Sequence, residues 1–257
     1  MLTIGNSPDD HWLPATWPAP PLIRAGITTR SPGYSRHAYA AFNLAHHVGD
    51  DELAVQQNRQ QLQTFLRLPA EPHWLNQTHG NRVVEIESAQ TARDADAAYT
   101  RTPGVVCALL TADCLPILVC NRDGTEVAAI HAGWRGLAAN IIAKALACFA
   151  SDPTDLMAWI GPHISAANYT VRADVRNACI NSLTDGITAT FYPSGQDTWQ
   201  ADLEWLASML LGAAGVTEIH ASRLCTYAHP GLFYSYRREK ITGRMATLIW
   251  IDQERIG

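Results

Sequence analysis

The sequence has no run of basic residues, no CxxC pair, no His-x-His pair and no long uninterrupted apolar stretch. With 19 Lys and Arg against 24 Asp and Glu, its charge gives no indication of nucleic acid or an anionic membrane surface as a partner. The longest apolar stretch, residues 104–120, contains Thr111, Asp113 and Pro116 and is too broken to cross a bilayer. The N-terminus lacks the basic start and apolar core of a signal peptide, so we expect a cytoplasmic protein.

The six cysteines occur singly and mostly within apolar segments of a 257-residue chain. In a chain of this length, such spacing favours reduced, mostly buried thiols over a disulfide framework. A hydrophobic fraction of 47% with 8 Trp excludes disordered, collagen-like and coiled-coil proteins. We therefore expect a globular protein that buries a sizeable core.

The order of apolar segments predicts one α/β domain over residues 1–257 with mixed sheets, and residues 1–21 are expected to be a proline-rich surface lead-in. Strands outnumber helices and several adjoin directly, which argues against strict βαβ alternation. The predicted strands are 22–29, 73–75, 83–86, 105–110, 117–120, 127–130, 156–160, 218–221 and 246–251. The predicted helices are 50–69, 137–149, 173–183 and 201–211.

Polar residues of catalytic type interrupt the predicted strands in three motifs, QTHG (77–80), TADCLP (111–116) and HAGWRG (131–136). One residue from each, His79, Cys114 and His131, could converge on a metal. Two imidazoles and a thiolate suit zinc, and three protein ligands leave the open position of a catalytic site. Spacing alone also allows a packing cysteine and two histidines bonded to backbone carbonyls, because no short ligand pair anchors the set.

Two further polar clusters could bind an anion. Asn43 and His47 precede the helix predicted near Asp50, where free N–H groups could hold a substrate oxygen, although Asp50 could equally cap that helix. The C-terminal segments 233–239 and 242–245 place three arginines among aromatic residues. Such arginines can hold phosphate beside a flat base, or can form surface ion pairs.

Six motifs taken together resemble the YfiH family, also called the laccase-domain or polyphenol oxidase family. They are NLxxHVGDD (43–51), QTHG (77–80), TADCLPI (111–117), HAGWRG (131–136), FYSYRR (233–238) and TGRMA (242–246). The resemblance extends over residues 22–251 and implies a layered α/β domain in which mixed sheets are sandwiched between helices. It also implies a zinc ion held by His79, Cys114 and His131, with copper bound there only adventitiously.

The same resemblance implies phosphorolysis of adenosine, inosine, guanosine and methylthioadenosine, and deamination of adenosine, so small nucleosides and phosphate are the expected partners. Asn43 and His47 would orient ribose or the leaving base, and Gln77 would contact substrate. The candidate phosphate ligands are Arg30, Arg237 and Arg238. The sequence leaves the oligomeric state open and is compatible with a monomer.

Three alternatives remain open at the level of sequence. A metal-free hydrolase would use Cys114 as nucleophile and His131 as base, with Gln77 or Asn43 as the orienting group. A polyphenol oxidase is disfavoured by the absence of His-x-His pairs, and nothing in the residues favours editing of peptidoglycan precursors. Asp113 could orient a ligand, act as an acid–base group or cap its turn. Many family members have Cys or a small residue in place of His163, which could be a fourth ligand but is more simply a space-filling loop residue.

Overall fold

The computed structural model describes residues 11–87, 93–182 and 186–253. Its strands are β1 (Trp12–Pro14), β2 (Ile23–Thr28), β3 (His73–Trp74), β4 (Val83–Glu85), β5 (Ala97–Thr100), β6 (Cys107–Thr111), β7 (Leu115–Asn121), β8 (Val127–Ala132), β9 (Leu156–Ile160), β10 (Thr170–Arg172), β11 (Phe191–Gly195), β12 (Thr198–Ala201), β13 (Glu218–Ala221) and β14 (Met245–Ile251). Its α-helices are α1 (Glu52–Leu66), α2 (Trp134–Ala138), α3 (Ile141–Leu146), α4 (Ala173–Ser182) and α5 (Leu203–Ala213).

The strands form two large mixed sheets and one small sheet. The five-stranded sheet has the order β1-β2-β14-β6-β3, in which only the β3–β6 pair is parallel. The six-stranded sheet has the order β13-β9-β7-β8-β5-β4, with parallel pairs at its two edges. Strands β10, β12 and β11 form the small antiparallel sheet. Mixed sheets are therefore confirmed.

Alternation along the strands explains the layers. In β6, Cys107 and Leu109 pack between the two large sheets, whereas Ala108 and Leu110 face α1 on the outer side. In β8, Ala129 faces the other sheet and Ile130 faces the layer of helices α2 to α5. Because successive side chains point to opposite faces, strands buried on both sides carry continuous apolar runs. The order of layers is helix, sheet, sheet, helices, which confirms sheets sandwiched between helices.

The helices follow local signals with one difference. The α1 helix begins after Asp51, whose side chain accepts a hydrogen bond from the Ala54 N–H, and it buries Val55 and Leu62. The segment predicted as one helix over 137–149 forms two helices, because Asn140 between them has a left-handed φ of 61°. The apolar stripe is nevertheless buried as expected.

Some strands lack a sequence signal. The prediction of a surface lead-in over 1–21 is wrong for Trp12–Pro14, which pair with β2 as the edge of the five-stranded sheet; residues 1–10 lie outside the described residues. The β5 strand (AAYT) is fully buried, but its two alanines have low strand propensity. The half-exposed strands of the small sheet are likewise not predicted.

The cysteines are reduced and mostly buried, as their spacing predicts. All six thiols are free; Cys114 and Cys148 are partly exposed and the other four are buried. Within the described ranges, no helix combines the length and apolar character that a membrane span requires.

Candidate active site

The three predicted metal ligands meet where the two large sheets adjoin. His79 follows β3, Cys114 lies in the turn that leads from β6 of one sheet to β7 of the other, and His131 lies near the end of β8. Their ligand atoms all lie within 4.8 Å of one another, with Cys114 Sγ 3.9 Å from His79 Nε2. The two imidazole rings meet edge to face, with their centroids 4.8 Å apart.

This donor set fits a zinc-class ion. Tetrahedral zinc, with its usual Zn–S and Zn–N distances, places sulfur and nitrogen about 3.6 Å apart, close to the spacing of Cys114 and His79. Among the described residues, this is the one group of three or more His, Cys, Asp and Glu side chains with such spacing. Two imidazoles and a thiolate suit zinc and also copper, so the donors alone define a class of metal.

A buried carboxylate that the motifs do not include orients two of the three donors. Asp96 Oδ1 lies 2.8 Å from His131 Nδ1 and also accepts the backbone N–H of His79 at 2.9 Å. Its Oδ2 accepts from the N–H of Thr78, the Thr78 hydroxyl and the N–H of Gly80. Since a carboxylate only accepts, His131 carries its proton on Nδ1 and turns Nε2 towards the cluster.

Electrostatics maintain Asp96 as an anion. Burial acts to raise the pKa of Asp96, but hydrogen bonds from His131, Gly80 and Thr78 hold it well below its usual range. Sequence reasoning did not identify this residue, because it lies outside the catalytic motifs and directly before β5, a strand that was not predicted.

The metal-free cluster favours a thiolate beside an imidazolium. Burial acts to raise the pKa of Cys114, but the facing imidazoles of His131 and His79 lower it to about 6. Burial acts to lower the pKa of His131, yet Cys114 and Asp96 raise it to about 9. A deprotonated thiol is both a metal ligand and a nucleophile.

The turn that carries Cys114 is held by its neighbour Asp113. Asp113 adopts a left-handed φ of 97°, and its carboxylate accepts hydrogen bonds from the Thr226 hydroxyl at 2.6 Å and the Arg237 N–H at 2.7 Å. The carboxylate therefore fixes the turn. A Cβ on Gly133 would lie 3.2 Å from Cys114 Sγ and 3.3 Å from His79 Cδ2, so a larger residue there would crowd the cluster.

The cluster opens into a cavity of about 380 Å³. The cavity is lined by His47, Gln77, His79, Leu110, Thr111, Ala112, Cys114, His131, Tyr236 and Arg244. Arg244 brings its guanidinium to this cavity, where Nη1 donates to the carbonyls of Thr242 and Gly243. Burial lowers the pKa of Arg244, although nearby Cys114 and Asp113 act to raise it. Arg244 belongs to the C-terminal cluster but was not among the predicted phosphate ligands.

The other predicted substrate residues divide between the cavity and its support. His47 and Gln77 line the cavity, and the Gln77 amide is paired with both backbone groups of Leu110. Asn43 is buried and lies outside the lining. Its amide donates to the Ala45 carbonyl and to Asp50, and its Oδ1 accepts the N–H groups of Ala45 and Arg244. Asn43 is thus a positioning residue for Arg244.

The three arginines proposed from sequence for phosphate lie outside the cavity lining. Arg30 donates to the carbonyls of Ala40 and Pro230, and Arg238 donates to those of Thr226, Tyr227 and Phe233. Arg237 donates to the Thr170 carbonyl and lies over the ring of Tyr169. Backbone carbonyls, which are fixed acceptors, hold these cations in place, and their role in phosphate binding stays a prediction.

The predicted anion site at the start of α1 is also absent from the described structure. Asp51 caps that helix, while Asp50 is bonded to Asn43 and to the Asp51 N–H, so a carboxylate occupies the place expected for a bound anion. A helix cap was predicted here, but the residue was wrong: Asp51, not Asp50, is the cap.

Comparison with known proteins agrees with this architecture. The sequence model of a family described as multi-copper polyphenol oxidoreductase laccase matches residues 24–252. The chain belongs to this family. Within the family, it is 44% identical over 236 residues to the YfiH purine nucleoside phosphorylase of Escherichia coli, covering 91% of this chain and 96% of that protein. A Pseudomonas aeruginosa purine nucleoside phosphorylase is 42% identical over 241 residues, covering 94% and 98%.

Solved structures of this laccase-like family share the fold. A crystal structure of a Neisseria meningitidis protein superposes with a TM-score of 0.90 at 42% identity, covering 94% of this chain and 99% of that one. YlmD from Geobacillus stearothermophilus gives a TM-score of 0.89 at 30% identity, covering 95% and 97%. The resemblance to YfiH proteins inferred from the motifs is confirmed.

Proposed function

We propose that the chain is a zinc-dependent purine nucleoside phosphorylase that acts on adenosine, inosine, guanosine and methylthioadenosine, and that it also deaminates adenosine. The supporting observation is that the His79–Cys114–His131 cluster and Arg244 line the same substrate-sized cavity. The printed names of the relatives at 42% and 44% identity support the same activity.

Phosphorolysis requires an anion-binding group beside the ribose, and Arg244 has the free donors for it. Its Nη1 is engaged by two carbonyls, whereas Nε and Nη2 form no hydrogen bond with the described part of the chain. A guanidinium with two adjacent free N–H groups matches two oxygens of phosphate. Arg244 would hold phosphate for attack on the anomeric carbon while the purine leaves.

His47 and Tyr236 complete the cavity wall that contains Arg244. The pKa of His47 is lowered mainly by burial and further by the positive charges of Arg244, Arg59 and His46. Its imidazole is therefore mostly neutral at pH 7. A neutral imidazole can both donate and accept, which suits ribose hydroxyls or a purine nitrogen. The half-exposed Tyr236 ring offers an aromatic surface for the base.

The metal-binding residues have a defined task. When bound, a zinc-class ion supplies a Lewis-acid centre of positive charge next to the substrate. Asp96 fixes the tautomer of His131 and the backbone of His79, so it orients two of the three side chains that would hold the ion.

Product identification tests the proposal. Purified protein is incubated with adenosine, with and without phosphate, and the purines are separated. Phosphate-dependent release of adenine with ribose 1-phosphate shows phosphorolysis, inosine shows deamination, and hypoxanthine shows both. Absence of any phosphate-dependent base release would overturn the phosphorylase assignment.

A metal-free cysteine hydrolase is the second candidate, because Asp96, His131 and Cys114 are arranged as orienting carboxylate, base and nucleophile. The two candidates differ after metal removal. The hydrolase would retain activity in chelator, and the zinc enzyme would lose it and regain it when zinc is added back.

A further inference from the structure

A second cavity, of about 280 Å³, shares no lining residue with the first. Its lining comprises His163, Ser165, Ala166, Ala167, Asp202, Glu204, Arg223, Leu224 and Cys225. It therefore contains imidazole, carboxylate and thiol groups that the proposed phosphorylase does not use. His163 also lies outside the lining of the first cavity, so it is not a fourth ligand of the His79–Cys114–His131 cluster.

The His163 imidazole presents a lone pair to this cavity. The side chain is 4% exposed, and its Nδ1 lies 2.9 Å from the Gly161 carbonyl. Because a carbonyl only accepts, Nδ1 must be the protonated nitrogen, which leaves Nε2 as an acceptor in the neutral ring. Within the described residues, no hydrogen bond is made to Nε2.

A carboxylate, itself an acceptor, lies close to that lone pair. Glu204 Oε2 lies 3.9 Å from His163 Nε2, beyond hydrogen-bonding distance, and the Glu204 side chain is 30% exposed. Their 3.9 Å separation is about 0.5 Å longer than the spacing of about 3.4 Å between nitrogen and oxygen ligands of tetrahedral zinc, so a small shift of the part-exposed Glu204 side chain would bring both onto one cation. A backbone carbonyl bonded to Nδ1 is the usual support of a histidine that binds metal through Nε2.

The surrounding charges include both signs. Asp202 adds a second carboxylate next to Glu204, whereas the exposed Arg223 opposes a cation. Cys225 lies in the same lining, and its sulfur accepts hydrogen bonds from the Ser165 N–H at 3.3 Å and from Asn168 Nδ2 at 3.4 Å. The lining thus contains two carboxylates, Asp202 and Glu204, against one arginine.

We propose that His163 and Glu204 form a second binding site for a divalent cation of the zinc class, with water in the remaining coordination positions. The site is independent of the proposed nucleoside chemistry. It binds more weakly than the first cluster, because two protein ligands replace three and no thiolate is among them.

Metal titration of the chelator-treated full-length protein tests the site. Calorimetry with Zn²⁺ should show two binding events for the wild type, one tight and one weaker. Cys114→Ser should lower the affinity of the tight event, which belongs to the first cluster, and should leave the second event unchanged. Glu204→Gln should weaken the second event by tenfold or more, and His163→Gln should abolish it.

His229→Gln is the matched control. Nδ1 of His229 also lies 2.9 Å from a backbone carbonyl, that of Cys225, but His229 is outside the second cavity. Both binding events should survive this change. A single binding event in the wild type would overturn the proposal, and so would a second event unaffected by Glu204→Gln. The Glu204 variant remains decisive if the buried His163 substitution prevents folding.

Discussion

Asp96 Oδ1 lies 2.8 Å from His131 Nδ1 in the interior of the protein, and the same oxygen accepts the backbone N–H of His79. One carboxylate thus positions two histidines, one from the loop after β3 and one from strand β8. Asp96 determines both the tautomer and the orientation of the His131 ring, so it supports the two histidines that would hold the ion.

The Asp96→Asn variant should bind zinc about 10- to 100-fold more weakly than the wild type, because an amide cannot accept from all the donors that the carboxylate satisfies. Competition against a chromophoric chelator measures this affinity. Asp94→Asn is the control, since exposed Asp94 bonds only to Asn76 in the described structure. Equal affinities for the Asp96 variant and the wild type would contradict the positioning role.

Cys114 should react with iodoacetamide at neutral pH in the metal-free protein. Because the pKa of Cys114 is about 6, the thiol is half ionised near pH 6 and almost fully ionised above pH 7. The alkylation rate should therefore level off above pH 7. Burial raises the pKa of Cys148, whose rate should still increase above pH 8. Peptide mapping separates the two thiols, and bound zinc should protect Cys114. A Cys114 rate that keeps rising through pH 9 would be inconsistent with the cluster.

Arg244→Ala should raise the KM for phosphate about 10- to 150-fold, which corresponds to losing a charge-assisted hydrogen bond of about 1.5–3 kcal/mol. The KM for the nucleoside should change less. Arg237→Ala provides the contrast, because its guanidinium lies on Tyr169 outside the cavity lining. Initial rates at varied phosphate measure both variants. A large rise in the KM for phosphate in Arg237→Ala, with no rise in Arg244→Ala, would contradict Arg244 as the phosphate ligand.

Glu126→Gln should reduce the free energy of unfolding by about 1–3 kcal/mol at pH 7. The buried carboxylate accepts from the Tyr99 hydroxyl, the Ala150 N–H and both polar groups of Ser151. Burial acts to raise the pKa of Glu126, but these hydrogen bonds hold it below its usual range. Denaturant unfolding measures this change, and the Glu85→Gln variant, which alters an exposed carboxylate, is the control.

The same variant has a defined pH dependence. Since the folded-state pKa of Glu126 is depressed, its stabilisation is present above the unfolded value of about 4.3 and is lost as the pH falls through the folded value. The stability difference between the wild type and Glu126→Gln should therefore shrink below about pH 4. A difference that stays constant down to pH 2 would show that the carboxylate charge is unimportant.

Several sequence predictions depended on local patterns and were confirmed. The β9 and β13 strands have the expected bounds, and α1 begins and ends near its predicted cap and Pro69. Other elements have no local pattern. The alanine-rich β5 is a strand because antiparallel β8 and parallel β4 pair with its backbone, which apolar periodicity cannot reveal.

By itself, the sequence determined the family and the layered α/β class, and it predicted His79, Cys114 and His131 as one group, because each lies in a short motif at a strand end. Only the tertiary structure decided which polar residues serve them. Asp96 supports two of them through hydrogen bonds to His131 and to the His79 N–H. Among chemically equivalent arginines, Arg244 lines the cavity beside them, whereas Arg30, Arg237 and Arg238 do not. Such partnerships depend on how loops distant in sequence pack together, so no local pattern of residues contains them.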